Sequence, residues 1–256
     1  MDLRLNFQLA SNYTSNSQIA RILTENWTEE EVFCPNCGEQ YLNKSFANTP
    51  VTDFVCNKCK ETYELKSQKN RFGRKINDGA YKTMISKLNE GSAPNLFLLN
   101  YDITRYEVTN FVVVPKQFFI PSLIEKRPPL TGTAKRHGWI GCNILFNEIP
   151  NSGKIFFIKE GRVIPKKEVI NNWKKVLFIK KEENISAKGW LLDVIKCIEK
   201  LNVKTFTLDE LYKFEDLLRG KHPTNRHVRD KIRQQLQILR DKGYIRFTGR
   251  GKYTLN

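Results

Sequence analysis

Two Cys-x-x-Cys pairs constrain the fold of this chain more than any other feature of its sequence. Cys34 and Cys37 form the first pair, and Cys56 and Cys59 form the second after 18 intervening residues. Four thiolates at this spacing are typical of a tetrahedral Zn²⁺ site in which each pair wraps around the metal as a knuckle. Four protein ligands leave the ion no open position. We therefore predict a structural Zn²⁺.

A redox role is the alternative for these cysteines, but it needs only one reactive pair and leaves the other pair unexplained. The chain has two further cysteines, Cys142 and Cys197, in apolar surroundings. Isolated cysteines of this kind are more often small core residues than nucleophiles. We interpret both as core residues.

The chain also carries a large excess of positive charge. Its 256 residues include 43 Lys and Arg against 27 Asp and Glu, a formal net charge of +16. Such an excess favours a polyanionic partner, because basic side chains contact phosphates and release counterions. A solvated basic surface is the alternative. The excess is concentrated, however, since 11 Lys or Arg and only 2 acids follow from residue 219 onward.

The sequence lacks the usual signs of membrane insertion or secretion. No run of about 18 apolar residues is present, and Met1–Asn6 lacks the apolar region of a signal peptide. A hydrophobic content of 40%, with 11% aromatic residues, is enough for packed cores. We expect a soluble, cytoplasmic protein that is a monomer in solution and has no membrane partner.

The distribution of apolar residues predicts two domains, at 1–182 and 183–256. The charged stretch Lys180–Asn184 separates them. Upstream, short apolar runs predict buried strands, and helical periodicity between Asn77 and Leu88 predicts a helix. This alternation indicates a mixed α/β domain. The predicted strands include Asn95–Asn100, Phe111–Val114 and Ile155–Ile158.

The second domain has the element order of a winged helix-turn-helix. Periodicity predicts a first helix over Ser186–Leu201, and the T-x-x-E capping box at Thr207 starts a second that extends to about Leu218. Asn225 is the predicted cap of a third helix, whose apolar stripe is Val228, Ile232, Leu236 and Leu239. A hairpin over Tyr244–Leu255 then forms the wing.

The third helix and the wing carry the candidate DNA contacts. Arg and Gln have the forked geometry that matches guanine and adenine edges in the major groove, and basic residues at the tip of a wing suit phosphates. A solvated helix face is the alternative, but only two acids are available to pair with the eleven bases of this segment. The candidates are Arg226, Arg229, Arg233, Gln234, Gln237, Arg250 and Lys252, and Gln235 is predicted to lie on the same polar faces of the third helix.

The second knuckle lies in the turn between strand-like segments at Val51–Val55 and Glu61–Lys66. Alternation places Glu64 and Lys66 on one face of their strand. If Cys56 faces Cys59 across the turn, Asp53 lies opposite Thr62 and about 7–8 Å diagonally from Glu64. An exposed strand face with alternating charges is the alternative interpretation. On the predicted hairpin, however, the knuckle fixes two acids and one lysine together.

These residues suit catalysis with a divalent metal. Two carboxylates and the carbonyl of Leu65 would bind Mg²⁺, a hard cation that keeps several waters. The metal acidifies a bound water and neutralises charge in the transition state. We predict Asp53 and Glu64 as Mg²⁺ ligands. Lys66 is predicted to orient or deprotonate the water and to hold the scissile phosphate.

Asp53 and the triplet Glu64–Lys66 resemble the catalytic core of the PD-(D/E)xK nuclease superfamily, although the proline nearest to Asp53, Pro50, lies three positions before it. Over nearly its whole length, the chain resembles the DpnI-type methyl-directed restriction endonucleases. The stretches that carry this resemblance are Ser15–Gln18, Cys34–Gly38, Ile76–Tyr81, Gly138–Asn143, Lys231–Lys242 and Gly249–Tyr253.

This resemblance implies a fold and an activity. The expected fold is α/β, with a PD-(D/E)xK nuclease core stapled by a four-cysteine zinc knuckle and followed by a winged helix-turn-helix domain. The expected activity is type II cleavage of double-stranded DNA at GATC sites whose adenine is methylated. Because each chain has one active site, cleavage of both strands requires that site to act twice or a second molecule to bind the same DNA.

A buried methyl group contributes only about 0.8 kcal/mol, so safe discrimination needs more than one apolar contact. Trp139 is the candidate aromatic wall for the methyl group, with a core tryptophan as the alternative. Trp173 and Trp190 fall on helix faces and are interpreted as core. The sequence is also compatible with two other functions: a zinc-containing transcriptional regulator, and a repair or junction-resolving nuclease.

Overall fold

The structure, a computed structural model, describes residues 1–45 and 52–256. The described residues divide into two compact units, one formed by 1–148 and 152–176 and the other by 149–151 and 177–256. The first is mixed α/β and contains the four paired cysteines, and the second is mainly helical. The predicted fold class is confirmed. Val51, the predicted start of a strand, and Pro50 lie outside the described residues.

Among the described residues, the first unit contains ten strands and three α-helices. The strands are β1 (Asn43–Lys44), β2 (Phe54–Val55), β3 (Thr62–Gln68), β4 (Ile76–Ala80), β5 (Asn95–Asp102), β6 (Glu107–Val114), β7 (Ile124–Lys126), β8 (Gly141–Ile144), β9 (Ile155–Lys159) and β10 (Arg162–Val163). The helices are α1 (Asn16–Glu31), α2 (Tyr81–Asn89) and α3 (Lys166–Val176).

Within the described part of the chain, the larger sheet has the strand order β1-β2-β3-β5-β6-β9-β10. Its pairs are antiparallel except β3 and β5, which run parallel. The short β2 pairs with β3 only at Thr62 and Tyr63 among the described residues, so the rest of β3 lies at the edge of the sheet. The strands β4, β8 and β7 form a separate, smaller sheet.

Aromatic side chains fill the core on one face of the larger sheet. Tyr63 stacks on Phe97 with ring centroids 4.4 Å apart, and Trp27 of α1 packs edge-on against Phe111 at 5.3 Å. Because side chains alternate along a strand, Glu64 and Lys66 point to the face opposite Tyr63. The catalytic candidates therefore lie on the far side of β3 from this aromatic core.

The helix predicted over Asn77–Leu88 is wrong in its first turn. Residues 76–80 form β4, which pairs antiparallel with β8, and α2 begins only at Tyr81. The apolar periodicity that suggested a helix belongs to Met84, Ile85 and Leu88, which are half-buried in α2. The pairing with β8 is distant in sequence and overrides local helical preference in the preceding residues.

The second unit contains α4 (Ile185–Leu201), β11 (Thr205–Thr207), α5 (Leu208–Tyr212), α6 (Glu215–Lys221), α7 (Val228–Asp241), β12 (Ile245–Gly249) and β13 (Lys252–Leu255). The capping box at Thr207 is present, with its hydroxyl accepting from the backbone of Glu210 at 3.3 Å. The predicted second helix is interrupted, however, and ends at Tyr212 before α6 begins. Asn225 is not the cap of α7, which begins after His227; its side chain accepts from the His227 amide at 2.8 Å.

The tryptophans and isolated cysteines interpreted as core residues are buried. Trp173 and Trp190 are 1% and 3% exposed, and Cys142 and Cys197 are equally inaccessible. None of the helices in 1–45 and 52–256 combines the length and the apolar character that a membrane crossing requires.

Candidate active site

The four paired cysteines converge on one point. Their sulfur atoms all lie within 4.8 Å of one another, with 3.5 Å between Cys34 and Cys59 and between Cys37 and Cys56. Tetrahedral Zn²⁺ with Zn–S bonds of about 2.3 Å requires sulfur separations of about 3.8 Å. The donor set and its spacing therefore fit a structural Zn²⁺.

The two knuckles have the same backbone design. The amide four residues after the first cysteine donates to that cysteine's carbonyl, from Gly38 to Cys34 at 2.9 Å and from Lys60 to Cys56 at 2.8 Å. Both donors have positive φ, +78° at Gly38 and 61° at Lys60. Glycine adopts this conformation at little cost, whereas Lys60 adopts it with a side chain present.

The second knuckle corrects the predicted register of the hairpin. Its loop closes between Cys56 and Glu61, where the Cys56 amide donates to the Glu61 carbonyl at 3.0 Å. The turn is therefore longer than one that pairs the two cysteines. β2 pairs Phe54 with Tyr63, and continuing this register places Asp53 opposite Glu64 rather than Thr62. The shift of two residues keeps the side chains on the predicted face, because alternation has a period of two.

The structure brings all the predicted catalytic side chains to one cleft of about 550 Å³. The cleft opens at the edge of β3 and has α1 as its opposite wall. Asp53 accepts a hydrogen bond of 2.7 Å from the Leu65 amide, which fixes its carboxylate against β3. The lining residues are Ser17, Ala20, Arg21, Thr24, Glu25, Asp53, Glu64, Leu65, Lys66, Ser67, Gln68, Phe72, Ile76 and Asn77.

Lys66 contacts two carboxylates. Its ammonium group is hydrogen-bonded to Glu64 on the same strand and lies 2.7 Å from Oδ1 of Asp78 on β4. Sequence reasoning missed Asp78 as a site residue. The one available signal was its position inside the family-like stretch Ile76–Tyr81, which gave no indication that β4 returns to β3.

The pKa values of this group follow from its burial and its charges. Burial raises the pKa of Glu64 to about 7, with Lys66 opposing the shift and Asp78 and Asp53 adding to it. Burial alone would lower the pKa of Lys66, but the adjacent Glu64 and Asp78 carboxylates outweigh it and raise the pKa above its usual range. Lys66 is therefore held as an ammonium ion.

Trp139 lies just before β8 and is half-buried rather than a core residue. Its ring covers Gly141, where an added Cβ would come within 2.8 Å of the ring atoms Cζ3 and Cη2. Gly141 pairs with Ala80 on β4, two residues beyond Asp78. The absence of a side chain at Gly141 thus lets the indole approach the backbone of the smaller sheet.

The winged unit places most of its predicted DNA contacts at the surface. Gln234 and Gln237 are exposed on α7, and Arg250 and Lys252 are exposed at the wing. Arg226 is also exposed, but it precedes α7 instead of lying on it. Gln235 contradicts its prediction. It is 1% exposed and faces the core, because it lies within the apolar stripe of the helix.

More acids pair with the basic residues of this segment than the two that lie within it. Acids from upstream elements reach them: Glu215 lies 2.6 Å from Arg229, and Asp193 lies 2.5 Å from Lys221. Arg233 is bound to Asp230 and donates to the hydroxyl of Tyr212 at 2.7 Å. Within the described residues, by contrast, no ion pair is formed by Arg226, Arg250 or Lys252. The predicted contacts therefore divide into paired and unpaired cations.

Two family models match the chain. The model DpnI, described as the Dam-replacing family, matches residues 1–182. The model DpnI_C, described as the Dam-replacing HTH domain, matches residues 186–255. The first match includes the four cysteines and every residue of the β3 cleft, and the second includes the exposed bases around α7 and the wing.

Proposed function

We propose, on the premise that this chain belongs to the DpnI (Dam-replacing) family of methyl-directed restriction endonucleases, that it is a Mg²⁺-dependent type II endonuclease. The proposed reaction is hydrolysis of phosphodiester bonds in double-stranded DNA at GATC sites whose adenine carries an N6-methyl group. Family membership supports a nuclease with a DNA-binding helix-turn-helix domain. Dependence on Mg²⁺, recognition of methylated GATC and the roles of individual residues are proposed in addition.

The observation that carries the proposal is the common position of Asp53, Glu64 and Lys66 in the β3 cleft. Two acids and an ammonium group on one open strand edge suit a reaction at phosphate. A strand face that is only solvated would not require the Asp53 carboxylate to accept a hydrogen bond of 2.7 Å from the Leu65 amide. No strand of the described residues pairs with β3 beyond Tyr63 on this side, so a DNA backbone can approach its edge there.

The donor set of the cleft fits a hard cation. Asp53 and Glu64 would hold Mg²⁺ together with the carbonyl of Leu65, and such oxygen ligands are the ones this ion prefers. When bound, the ion supplies an acidified water and charge neutralisation at the phosphate. Asp53 is already oriented by the backbone. Glu64 must exchange its contact with Lys66 for the metal.

The charge on Lys66 determines its part in the reaction. Because Glu64 and Asp78 raise the pKa of Lys66, it is an ammonium ion at neutral pH and acts as a hydrogen-bond donor. We assign it to hold the scissile phosphate and to orient the attacking water. An ammonium group in this position stabilises the negative charge that develops on phosphate oxygens.

The zinc site has a structural role in this proposal. Cys56 is three residues from Asp53, and the knuckle loop sets the register in which Asp53 meets Glu64. The four thiolates would complete the coordination of Zn²⁺, so no position remains for DNA or water.

Methyl recognition is assigned to apolar contacts in both units. Trp139 offers an indole at the end of the smaller sheet that carries Asp78, and the winged unit offers α7 and the wing for a second reading of the same palindrome. Each buried methyl contributes about 0.8 kcal/mol, roughly fourfold, so two independent readings compound the discrimination. Trp139→Ala should therefore reduce the ratio of cleavage rates on methylated and unmethylated DNA. Expressed as a free energy, this loss should exceed the change in the free energy of unfolding.

Plasmid DNA from hosts with and without adenine methylation tests the function directly. We expect discrete fragments from the methylated plasmid in Mg²⁺, and intact DNA in EDTA or without methylation. Retardation of DNA with no cleavage under any metal would contradict the nuclease proposal. Nicking that follows branched structure instead of methylation would contradict the proposed specificity.

A further inference from the structure

We infer that Asp78 is a positioning residue of the nuclease site, which anchors Lys66 while Glu64 is engaged elsewhere. This inference rests on the proposed function, because it assigns Asp78 a role in the same reaction. It arises from the contact between two sheets: the ammonium of Lys66 on β3 lies 2.7 Å from Oδ1 of Asp78 on β4.

The environment of Asp78 makes this contact important. Its side chain is only 7% exposed, and a carboxylate so shielded from water needs a compensating charge. Among the described residues, Lys66 is the cation recorded at this carboxylate. Each residue therefore depends on the other. Removal of Asp78 deprives Lys66 of an anchor, and removal of Lys66 deprives Asp78 of its compensating charge.

The backbone aims Asp78 at Lys66. In the smaller sheet, Asp78 pairs with Cys142 and Ala80 pairs with Gly141, so the ladder is shifted at Gly79. Such bulges redirect neighbouring side chains and are frequent beside active sites. The Cys142 thiol donates to the Gly79 carbonyl at 3.4 Å, which supports the shifted backbone from the neighbouring strand.

The need for a second anchor follows from competition for Glu64. A divalent ion bound by Glu64 would take the carboxylate that now contacts Lys66. The ammonium would then keep only Asp78 as its fixed partner, and the scissile phosphate could take the vacated contact. Without Asp78, the flexible four-carbon side chain of Lys66 has no fixed point, and loss of position costs rate more than affinity.

The test compares Asp78→Asn with wild type and with Asp102→Asn. Asparagine keeps the size of the side chain but removes its charge. Asp102 supplies the matched control, since its ion pair, with Arg105 at 2.9 Å, involves no residue that lines the cleft. Single-turnover cleavage of methylated DNA, DNA affinity in EDTA and the Mg²⁺ concentration for half-maximal rate are measured for each.

We expect Asp78→Asn to lower the single-turnover rate about 100-fold, with metal-free DNA affinity and the half-maximal Mg²⁺ concentration within about twofold of wild type. Asp78→Glu should recover part of the rate because it restores the carboxylate. Asp102→Asn should cleave like wild type.

Three results would overturn the inference. Cleavage by Asp78→Asn at the wild-type rate would show that Lys66 needs no second anchor. A slower rate with a raised Mg²⁺ requirement would make Asp78 a metal ligand, and a slower rate with weakened metal-free binding would make it a DNA-binding or purely structural residue. If wild type itself fails to cut methylated DNA, the proposed function fails, which is a separate outcome from any of these.

Discussion

The β3 cleft and the exposed surface of α7 and the wing use charge in different ways. In the cleft, Lys66 is bound to Glu64 and Asp78, and Asp53 is bound to the backbone of β3. On the winged unit, Arg250 and Lys252 extend into solvent with no ion pair in the described residues. Charges proposed to perform chemistry are held by the protein itself, whereas charges proposed to bind a polyanion are left available for it.

Removal of zinc should produce the largest difference between the two regions. A structural Zn²⁺ contributes on the order of 10 kcal/mol to folding. Cys56→Ser should therefore abolish cleavage and unfold much of the first unit, with loss of one zinc per chain by elemental analysis. Cys197→Ala is the control, since that thiol lies outside the cluster and belongs to the second unit. Retention of wild-type cleavage by a zinc-free chain would show that the knuckle does not maintain the cleft.

Replacement of Lys66 tests whether the paired charges of the cleft serve chemistry rather than binding. Lys66→Ala should lower the cleavage rate by about 10²- to 10⁴-fold while leaving DNA affinity intact. Lys69→Ala provides a control for loss of one positive charge nearby, because Lys69 is exposed and does not line the cleft. If Lys66→Ala folds normally but no longer binds DNA, the catalytic role assigned to Lys66 is wrong.

On the winged unit, unpaired cations should matter more than paired ones. Arg250→Ala should weaken DNA binding roughly five- to tenfold and reduce the slope of log affinity against log salt by about 1. Arg229→Ala should change affinity by no more than about twofold, because Arg229 is engaged by Glu215 at 2.6 Å. Equal losses from both variants in a salt titration would remove the distinction.

The smallest expected effect concerns the backbone of the second knuckle. Lys60→Gly should raise the free energy of unfolding by roughly 0.5–1 kcal/mol, because Lys60 has a φ of 61° that glycine adopts more readily. Lys58→Gly, in the same loop without positive φ, should have the opposite sign. Denaturant melts of the zinc-loaded protein measure both. A loss of stability in Lys60→Gly would mean that its side chain contributes more than its conformation costs.

The parts of the site that sequence predicted are those fixed by short spacing. Four cysteines in two pairs define a metal geometry wherever they occur, and alternation along β3 places Glu64 and Lys66 on one face whatever the register of the hairpin. Asp53 stayed on that face despite an error of two residues in the turn. These conclusions depend on local geometry alone.

The parts that sequence did not predict depend on distant pairing. Asp78 reaches Lys66 because β4 pairs with β8, which begins 63 residues further along at Gly141; helical periodicity nearby concealed that strand. The ion pairs of Arg229 and Lys221 likewise come from acids on other helices. Gln235 differs, since its spacing from Ile232 and Leu239 already places it on the apolar stripe, and its chemical type outweighed its position.

The parallel pairing of β3 with β5 has a consequence for how the protein folds during its synthesis. Parallel neighbours cannot be joined by a tight turn, and here the crossover from Gln68 to Asn95 contains β4 and α2. Contacts of such long separation form slowly, because chain entropy must be lost before they are made. A growing polypeptide would therefore carry Glu64 and Lys66 well before the strands that flank and anchor them emerge. The proposed site would therefore be assembled only late in folding.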